Sequence, residues 1–386
     1  VNGVYERLGV RRRINAAGTL TRLGGSLMDD AVLDAMRDAA ASSVDIGELQ
    51  SAASRAIAAA TGAEAGLVTS GAAAALTLAA AACIAGLDIA RMARLPDTRG
   101  LPARILMART HRNAYDHALR AAGAAIDDIG HNDRGTGAGI RGLETWEIDA
   151  AIGPETVALA FSATPETAVD LPAVAAACRK RGIKVIVDAA AQLPPASNLR
   201  AFVAAGADLV VFSGGKAIGG PQGTGILAGK RELVASALLQ QLDMDVAPPR
   251  WQAPDFVDRA KVPVPPHHGI GRGFKVGKED IVGLVVALER FAARDEAASS
   301  AALGRRLEAI AAALPDRTTR IVPGRVATLE IDVPDGPAAA ARLLAGEPPI
   351  HVGERNLARG TLTVDLQAVR PESDTALIDG LKRALA

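Results

Sequence analysis

"VVFSGGKAIGGPQGTG", residues 210–225, sets a single lysine, Lys216, among glycines directly after the strand-like residues 209–212. Ser213, Gly214 and Gly215 precede it, and Gly219 and Gly220 follow. A solvated surface lysine has no need of this setting. A lysine bonded to a flat ring that lies against the backbone does, and burial in such a pocket lowers its pKa enough to make it a nucleophile. The same residues also suit a plain glycine-rich turn, so Lys216 alone leaves both readings open.

The surrounding chain gives that turn its place. Residues 66–69, 104–107, 157–161, 184–187 and 207–212 read as short strands between alanine-rich helical stretches, with 224–227 as a return strand. Apolar runs of four or five residues alternating with helices indicate an α/β fold, with a mostly parallel central sheet and helices on both faces. Alanine, the strongest helix former, fills the helix faces. Residues 244–278 are rich in proline and glycine and break this rhythm, as functional loops often do. Residues 279–302 then read as one long helix. The strands in "RVATLEIDV" and "TLTVDL", with helices at 338–344 and 373–385, complete a small C-terminal α+β domain. The expected division is a large domain over 1–280, whose N-terminal arm (1–40) lies near the active site, and a small domain over 281–386.

Composition narrows the function. The 386 residues are 49% hydrophobic but only 3% aromatic, so the core is built from Ala, Val, Leu and Ile. That length suits a large domain plus a smaller one. Lys+Arg and Asp+Glu stand at 43 each, which removes the electrostatic footprint of a dedicated nucleic-acid binder. Cys83 and Cys178 sit in apolar helical contexts, as buried thiols of a reducing compartment do. "VNGVYERLGVRRRIN" lacks the apolar core and cleavage site of a secretory signal. The uncharged run 69–87 suits a buried helix better than a membrane span. A cytoplasmic protein with neither a membrane nor a nucleic-acid partner is expected.

Three features fall at strand ends, where open α/β sheets place ligands. Lys216 is one. Asp188, ending "KVIVD", is the second: a nearly buried acid needs a cationic partner. The protonated ring nitrogen of pyridoxal 5′-phosphate is such a partner, and a carboxylate there keeps the ring an electron sink. A helix cap is the alternative. The third is "VTSGAAAALTLAAA", where Ser70 and Gly71 open a long helix whose free N–H groups and dipole can hold a phosphate. An ordinary serine cap, worth about 1 kcal/mol, is the alternative. In this order the three are the grips on pyridoxal phosphate. His111, in "ARTHRNAYDHALRAAG", follows a strand and is placed to stack on the ring; His117 and His131 have no comparable position.

Other motifs carry less. "GAGIRG" (137–142) matches G-x-G-x-x-G, but without a strand before it or an apolar helix after it, and reads as a flexible loop. His267, His268 and His351 lack the tight spacing of a zinc site, so no metal is expected. The G-x-S-x-G of a serine hydrolase is absent.

"TSG" (69–71), "THRNAYD" (110–116), "VDAAAQLPP" (187–195) and "FSGGK" (212–216) together resemble the fold type I pyridoxal phosphate enzymes, the aspartate aminotransferase superfamily. "INAAGTLTRLGGSLM" (14–28), "VDIGELQSAASRAIAAATGAEAGLVTSGAAAAL" (44–76) and "GRGFKVGKEDIVGLVVALERF" (271–291) are similar to its selenocysteine synthase-like branch. The resemblance implies that Lys216 forms the Schiff base, Asp188 meets the ring nitrogen and His111 stacks on the ring. It places Ser70, Gly71 and Ala72 in the phosphate cup, and adds Ser213, Gln192 and Arg272 as cofactor contacts. Arg272, Lys275 and Lys278 are either a solvated basic loop or an anion grip for this subunit or its neighbour.

The implied reaction removes the β-hydroxyl and the amine of a small β-hydroxy amino acid, or of an amino-sugar acid like D-glucosaminate 6-phosphate. The products are a 2-oxo acid and ammonia. The substrate carboxylate calls for a fork-shaped cation. Arg22, Arg355, Arg359 and Arg370 are the candidates, with Gln50 and Lys275 as further substrate contacts. An aminotransferase, an amino-acid racemase, an aldolase, a selenium transferase acting on aminoacyl-tRNA and a catalytically silent regulator stay open. The chain begins almost at the catalytic core, without the N-terminal domain by which the tRNA enzyme holds its RNA; with zero net charge, that weighs against tRNA. Sites of this fold commonly lie between subunits, so a symmetric homodimer or higher oligomer is expected.

Overall fold

The computed structural model describes residues 3–131 and 143–386, so the G-x-G-x-x-G match at 137–142 lies outside the described residues. The strands in chain order begin with β1 (Ile14–Ala16), β2 (Ala65–Thr69), β3 (Arg104–Ala108) and β4 (Ala125–Ile129). β5 (Thr156–Ser162), β6 (Lys184–Asp188), β7 (Leu209–Ser213) and β8 (Gly225–Gly229) follow. β9 (Thr319–Val322), β10 (Thr328–Asp332), β11 (Ile350–Val352) and β12 (Thr361–Val364) come last.

Seven strands form one sheet in the order β2-β8-β7-β6-β5-β3-β4. β8 runs antiparallel to both its neighbours, and the other pairings are parallel. The expected α/β sheet with its return strand is therefore present, and β4, not foreseen, extends it at one edge. Side chains alternate between faces along each strand. Leu67, Ile105, Ile186, Val211 and Leu227 join one apolar cluster with the helices Ala72–Ala85 and Arg231–Gln241. Val68, Leu106, Leu159, Val187 and Phe212 join a second cluster that includes the helix Leu171–Lys180. The helix Ala72–Ala85 is buried almost all round, which a chain of small alanine faces permits.

β2 is an edge strand, and an open edge invites further pairing. The helix Ile46–Thr61 closes it. Gln50 donates to the Val68 carbonyl (3.0 Å) and accepts from the Val68 N–H (3.1 Å), imitating a neighbouring strand. Ser54 Oγ accepts from the Gly66 N–H at 2.9 Å. Gly66 is needed here because a Cβ would stand 2.2 Å from Ile57.

Met28–Ala292 form one unit, and the N-terminal segment up to Leu27 joins Ala293–Ala386 in the other. This differs from the expected division at 280, and the first part of the arm belongs to the small unit. The physical reason is parallel pairing of β1 with β11, Ile14 opposite Ile350. The small unit also holds the antiparallel sheet β12-β10-β9 and its own core, including Ile14, Leu307, Ile331, Leu362 and Leu377.

One further expectation is corrected. Residues 279–302 are not one helix: Lys278–Ala293 ends, and Glu296–Ala312 begins where the Asp295 side chain accepts from the Ala298 N–H. The proline-rich loop is packed down along part of its length, with Met244, Trp251, Phe256, Val257 and Val262 in the core. The Arg259 guanidinium lies 4.6 Å from the Trp251 ring centroid. No described helix is long and apolar enough to cross a membrane.

Candidate active site

The parallel strands point their C-terminal ends at one edge of the sheet, where the residues of interest gather. Connections leave β3 toward β4 on one side, while β5 lies on its other side. The strand order therefore reverses between β3 and β5, which is where open α/β sheets form a binding crevice. His111 follows β3 and Ser162 ends β5, one on each side of that point.

Asp188 ends β6. Burial pushes its carboxyl above the ordinary carboxylate range, against the Ala190 N–H (3.0 Å) and the positive charge of Lys216, which both lower it. The structure thus brings Lys216, in the turn after β7, within electrostatic reach of Asp188. The glycines around Lys216 also have a cause in the backbone itself. A Cβ on Gly215 would lie 2.5 Å from Gln222 Cα, and one on Gly214 would lie 2.2 Å from Thr224 Oγ1. Gly219 takes a left-handed backbone, φ 76°. The turn is stripped of side chains because it folds tightly back toward β8.

The helix start after β2 is also built by a glycine. Gly71, not Ser70, is the N-cap residue, with φ 106° and no side-chain cap. The simple serine-cap reading is thereby removed, and the first N–H groups of a fourteen-residue helix stay available. Gly225 stands opposite both Thr69 and Ser213 in register. A Cβ there would lie 2.5 Å from the Gly71 carbonyl carbon and 2.6 Å from the Ala72 nitrogen. Register therefore sets Ser213 beside the strand position that abuts the helix start, and the Ser213 hydroxyl has no partner among the described residues. From strand spacing and rise, Ser213 and Asp188 lie about 8 Å apart.

His111 is buried, which pushes its pKa down to about 4. Its ring packs edge-on against Phe161 at 4.6 Å. The Ser162 N–H donates to His111 Nδ1 at 3.4 Å. A backbone N–H can only donate, so Nδ1 is the bare nitrogen and Nε2 carries the hydrogen. Arg112, the next residue, is held by Asp116 and Asp128, which fixes the segment that presents the ring. Beside Asp188 lies a small pocket, with Leu76, Met107 and Ile186 among its apolar walls and Asn113 and Ser162 among its polar lining. Lys216 and Gly71 are not part of that lining.

A pyridoxal phosphate group fits these residues: a lysine in a tight turn, a half-buried carboxylate, a neutral ring, and an uncapped helix start with a spare hydroxyl. Gln192 lies four positions past Asp188 and is buried, its backbone held by Ala189 and Asn198.

Other predicted residues fall elsewhere. Gln50, read as a substrate contact, is buried and spent on the edge of β2. Arg272 pairs with Asp243 at 2.8 Å on a segment packed against the helix Arg231–Gln241, and no described contact joins it to Lys216 or Asp188. Lys275 is exposed, and Lys278 pairs with Glu279. Arg22, Arg355, Arg359 and Arg370 belong to the small unit; all are exposed, and Arg22 pairs with Glu354 at 2.7 Å. His351 is buried in β11 beside Arg13, while His268 is exposed near Asp243. Sequence reasoning missed Ser162, because a serine ending a strand carries no signature.

Residues 55–242 match the family model described as aminotransferase class-V. The chain is 32% identical to 5′-C-glycyluridine monooxygenase-decarboxylase of a Streptomyces species, over 99% of this chain and 92% of that protein. It is 29% identical to D-glucosaminate-6-phosphate ammonia lyase of Salmonella typhimurium, over 99% and 98%. A solved structure of D-glucosaminate-6-phosphate ammonia-lyase superposes with a TM-score of 0.81 at 27% identity, covering 100% of this chain and 98% of that one.

Proposed function

The chain belongs to the aminotransferase class-V family, of fold type I pyridoxal phosphate enzymes, and from that premise we propose that it is an ammonia-lyase. Its substrate is a small β-hydroxy amino acid or amino-sugar acid of the D-glucosaminate 6-phosphate kind. The observation that carries this reading is the full-length likeness to an ammonia-lyase in both sequence and structure. The net reaction converts R–CHOH–CH(NH2)–COOH into R–CH2–CO–COOH and NH3, so the hydroxyl lost from the β-carbon is balanced by the oxygen that water supplies to the α-carbon.

Pyridoxal phosphate, when bound, supplies the electron sink for negative charge at the substrate's α-carbon. Lys216 would hold it through Nζ and, once released by the substrate amine, take the α-proton as a neutral base. The Asp188 carboxylate would face the ring nitrogen, and His111 would cover one face as a neutral imidazole. The first N–H groups of the helix Ala72–Ala85, with Ser70 and Ser213, would take the phosphate. Arg22, Arg355 and Arg359 stay candidates for the substrate carboxylate. Arg272 and Lys275 are proposed as an anion grip offered to a second copy in a symmetric homo-oligomer. A cytoplasmic setting is proposed too, which suits the two unpaired cysteines.

A second reading is favoured by the 32% likeness to a monooxygenase-decarboxylase. It takes R–CH(NH2)–COOH and O2 to R–CONH2, CO2 and water, which balances without an outside reductant. One experiment separates the two. The enzyme, with added pyridoxal phosphate and no 2-oxo acid, is given β-hydroxy amino acids and amino-sugar acids with and without phosphate; ammonia, 2-oxo acid, oxygen uptake and CO2 are followed. Ammonia matched by 2-oxo acid, with no oxygen uptake, is expected. Oxygen uptake matched by CO2 would replace the lyase with the oxygenase. Exchange of the α-proton without either would point to a racemase or transaminase. Lys216→Ala is expected to abolish turnover in every case.

A further inference from the structure

Ser162 lies between the two residues that flank the proposed ring site, and nothing above gives its hydroxyl a task. In register it stands opposite Asp188 on the neighbouring parallel strand. Paired positions on adjacent strands lie about 4.8 Å apart with their side chains on the same face. Both residues line the pocket described above. The main chain of Ser162 is held at both ends: its N–H donates to His111 Nδ1, and its carbonyl accepts from Thr167 Oγ1 at 3.1 Å. Its hydroxyl has no hydrogen-bond partner among the described residues.

We propose that Ser162 is a positioning residue: its hydroxyl donates to the Asp188 carboxylate, while its backbone N–H holds the His111 ring in one tautomer. One residue at the reversal of strand order then orients both the group that meets the ring nitrogen and the group that covers the ring face. The proposal rests on the cofactor reading given above. A rotation about χ1 between staggered wells turns a serine hydroxyl toward a same-face neighbour. A donor to an ionised carboxylate favours the charged form, which opposes the effect of burial on Asp188. The other groups facing Asp188 do not duplicate this. Lys216 approaches from the turn after β7 and is consumed in holding the cofactor. His111 is neutral, Asp116 is paired with Arg112, and Tyr115 stands 60% exposed among the pocket residues.

The test loads wild type, Ser162→Ala, Ser162→Cys and Ser162→Thr with pyridoxal phosphate. For each, the absorption band of the protein-bound cofactor is titrated against pH, and cofactor affinity and melting temperature are measured. Ser162→Ala is expected to move the band's pH midpoint by about one unit, a tenfold change in proton affinity, and to weaken cofactor binding several-fold. Ser162→Thr, which keeps the hydroxyl, restores both. Ser162→Cys, a weak donor of similar size, falls between and serves if the alanine variant folds poorly. An unchanged midpoint in a folded Ala or Cys variant overturns the proposal, as does a threonine variant that behaves like alanine. A wild type with no protein-bound band would bring down the cofactor reading itself, and this proposal with it.

Discussion

Burial leaves Asp188 holding its proton more tightly than an exposed carboxyl, whose ordinary value is 3.8. A folded-state pKa above the unfolded one means that the native state binds the extra proton. That stabilisation is full below the unfolded value and is lost as pH rises through the folded one. Asp188→Asn removes the charge that must otherwise be buried. In the cofactor-free protein, urea denaturation across a pH series is therefore expected to show the variant gaining on wild type as pH rises above 3.8. With cofactor bound the order reverses, because the variant has lost its counter-charge. A gap that stays flat with pH would contradict the upward shift of the Asp188 carboxyl. His111 runs the other way. Its pKa falls from 6.5 to about 4, so the unfolded chain takes the proton first, and stability is lost as pH drops through that window. The loss is about 3 kcal/mol at about 1.4 kcal/mol per unit, and His111→Phe is expected to flatten it. Lys216, Asp188 and His111 stand out in sequence because each sits at or just past the end of an apolar strand. Gln50 does not: its buried amide answers an edge strand, and strand order is invisible in a single sequence.

At the scale of elements, glycines decide where the helix start and the lysine turn can sit. Gly225→Ala puts a methyl group 2.5 Å from the Gly71 carbonyl carbon, so either β8 or the start of the helix Ala72–Ala85 must shift. Overpacking of this kind costs about 1–3 kcal/mol, and here it falls on the proposed phosphate site. Cofactor affinity is expected to drop at least tenfold, more than the melting temperature alone accounts for. Gly215→Ala strikes the turn instead, 2.5 Å from Gln222 Cα, and is expected to impair covalent attachment of the cofactor at Lys216. A variant that melts like wild type and binds cofactor as tightly would show that these approaches are slack. The pattern of strands and helices was readable from apolar runs of strand length. Where helices stop was harder to see. Alanine carries little information about which face is buried, and the break at Arg294–Asp295 is signalled only by the Asp295 cap.

The whole molecule joins its two ends. β1 pairs with β11, Ile14 opposite Ile350, and Ile14 and Ala16 lie in the same core as Leu307 and Leu381. Met28–Ala292 are contiguous and carry the other two cores. The small unit therefore needs a contact that spans nearly the entire chain, and closing so long a loop is slow and entropically costly. No local pattern announces such a pairing, so the place of the N-terminal segment is not legible in the sequence. Two consequences can be measured on the full-length protein. Heating is expected to give two transitions, because the units have separate cores and the smaller core is the weaker. Added pyridoxal phosphate is expected to raise only the transition of the large unit, since a ligand stabilises what it binds. Removing residues 1–27 takes away β1 and exposes one edge of β11. Limited proteolysis of that variant is expected to cut within 293–386 while 28–292 resists. Equal protection of both segments would mean that β1 contributes little to the small unit, and that the division of the chain is not a division of stability.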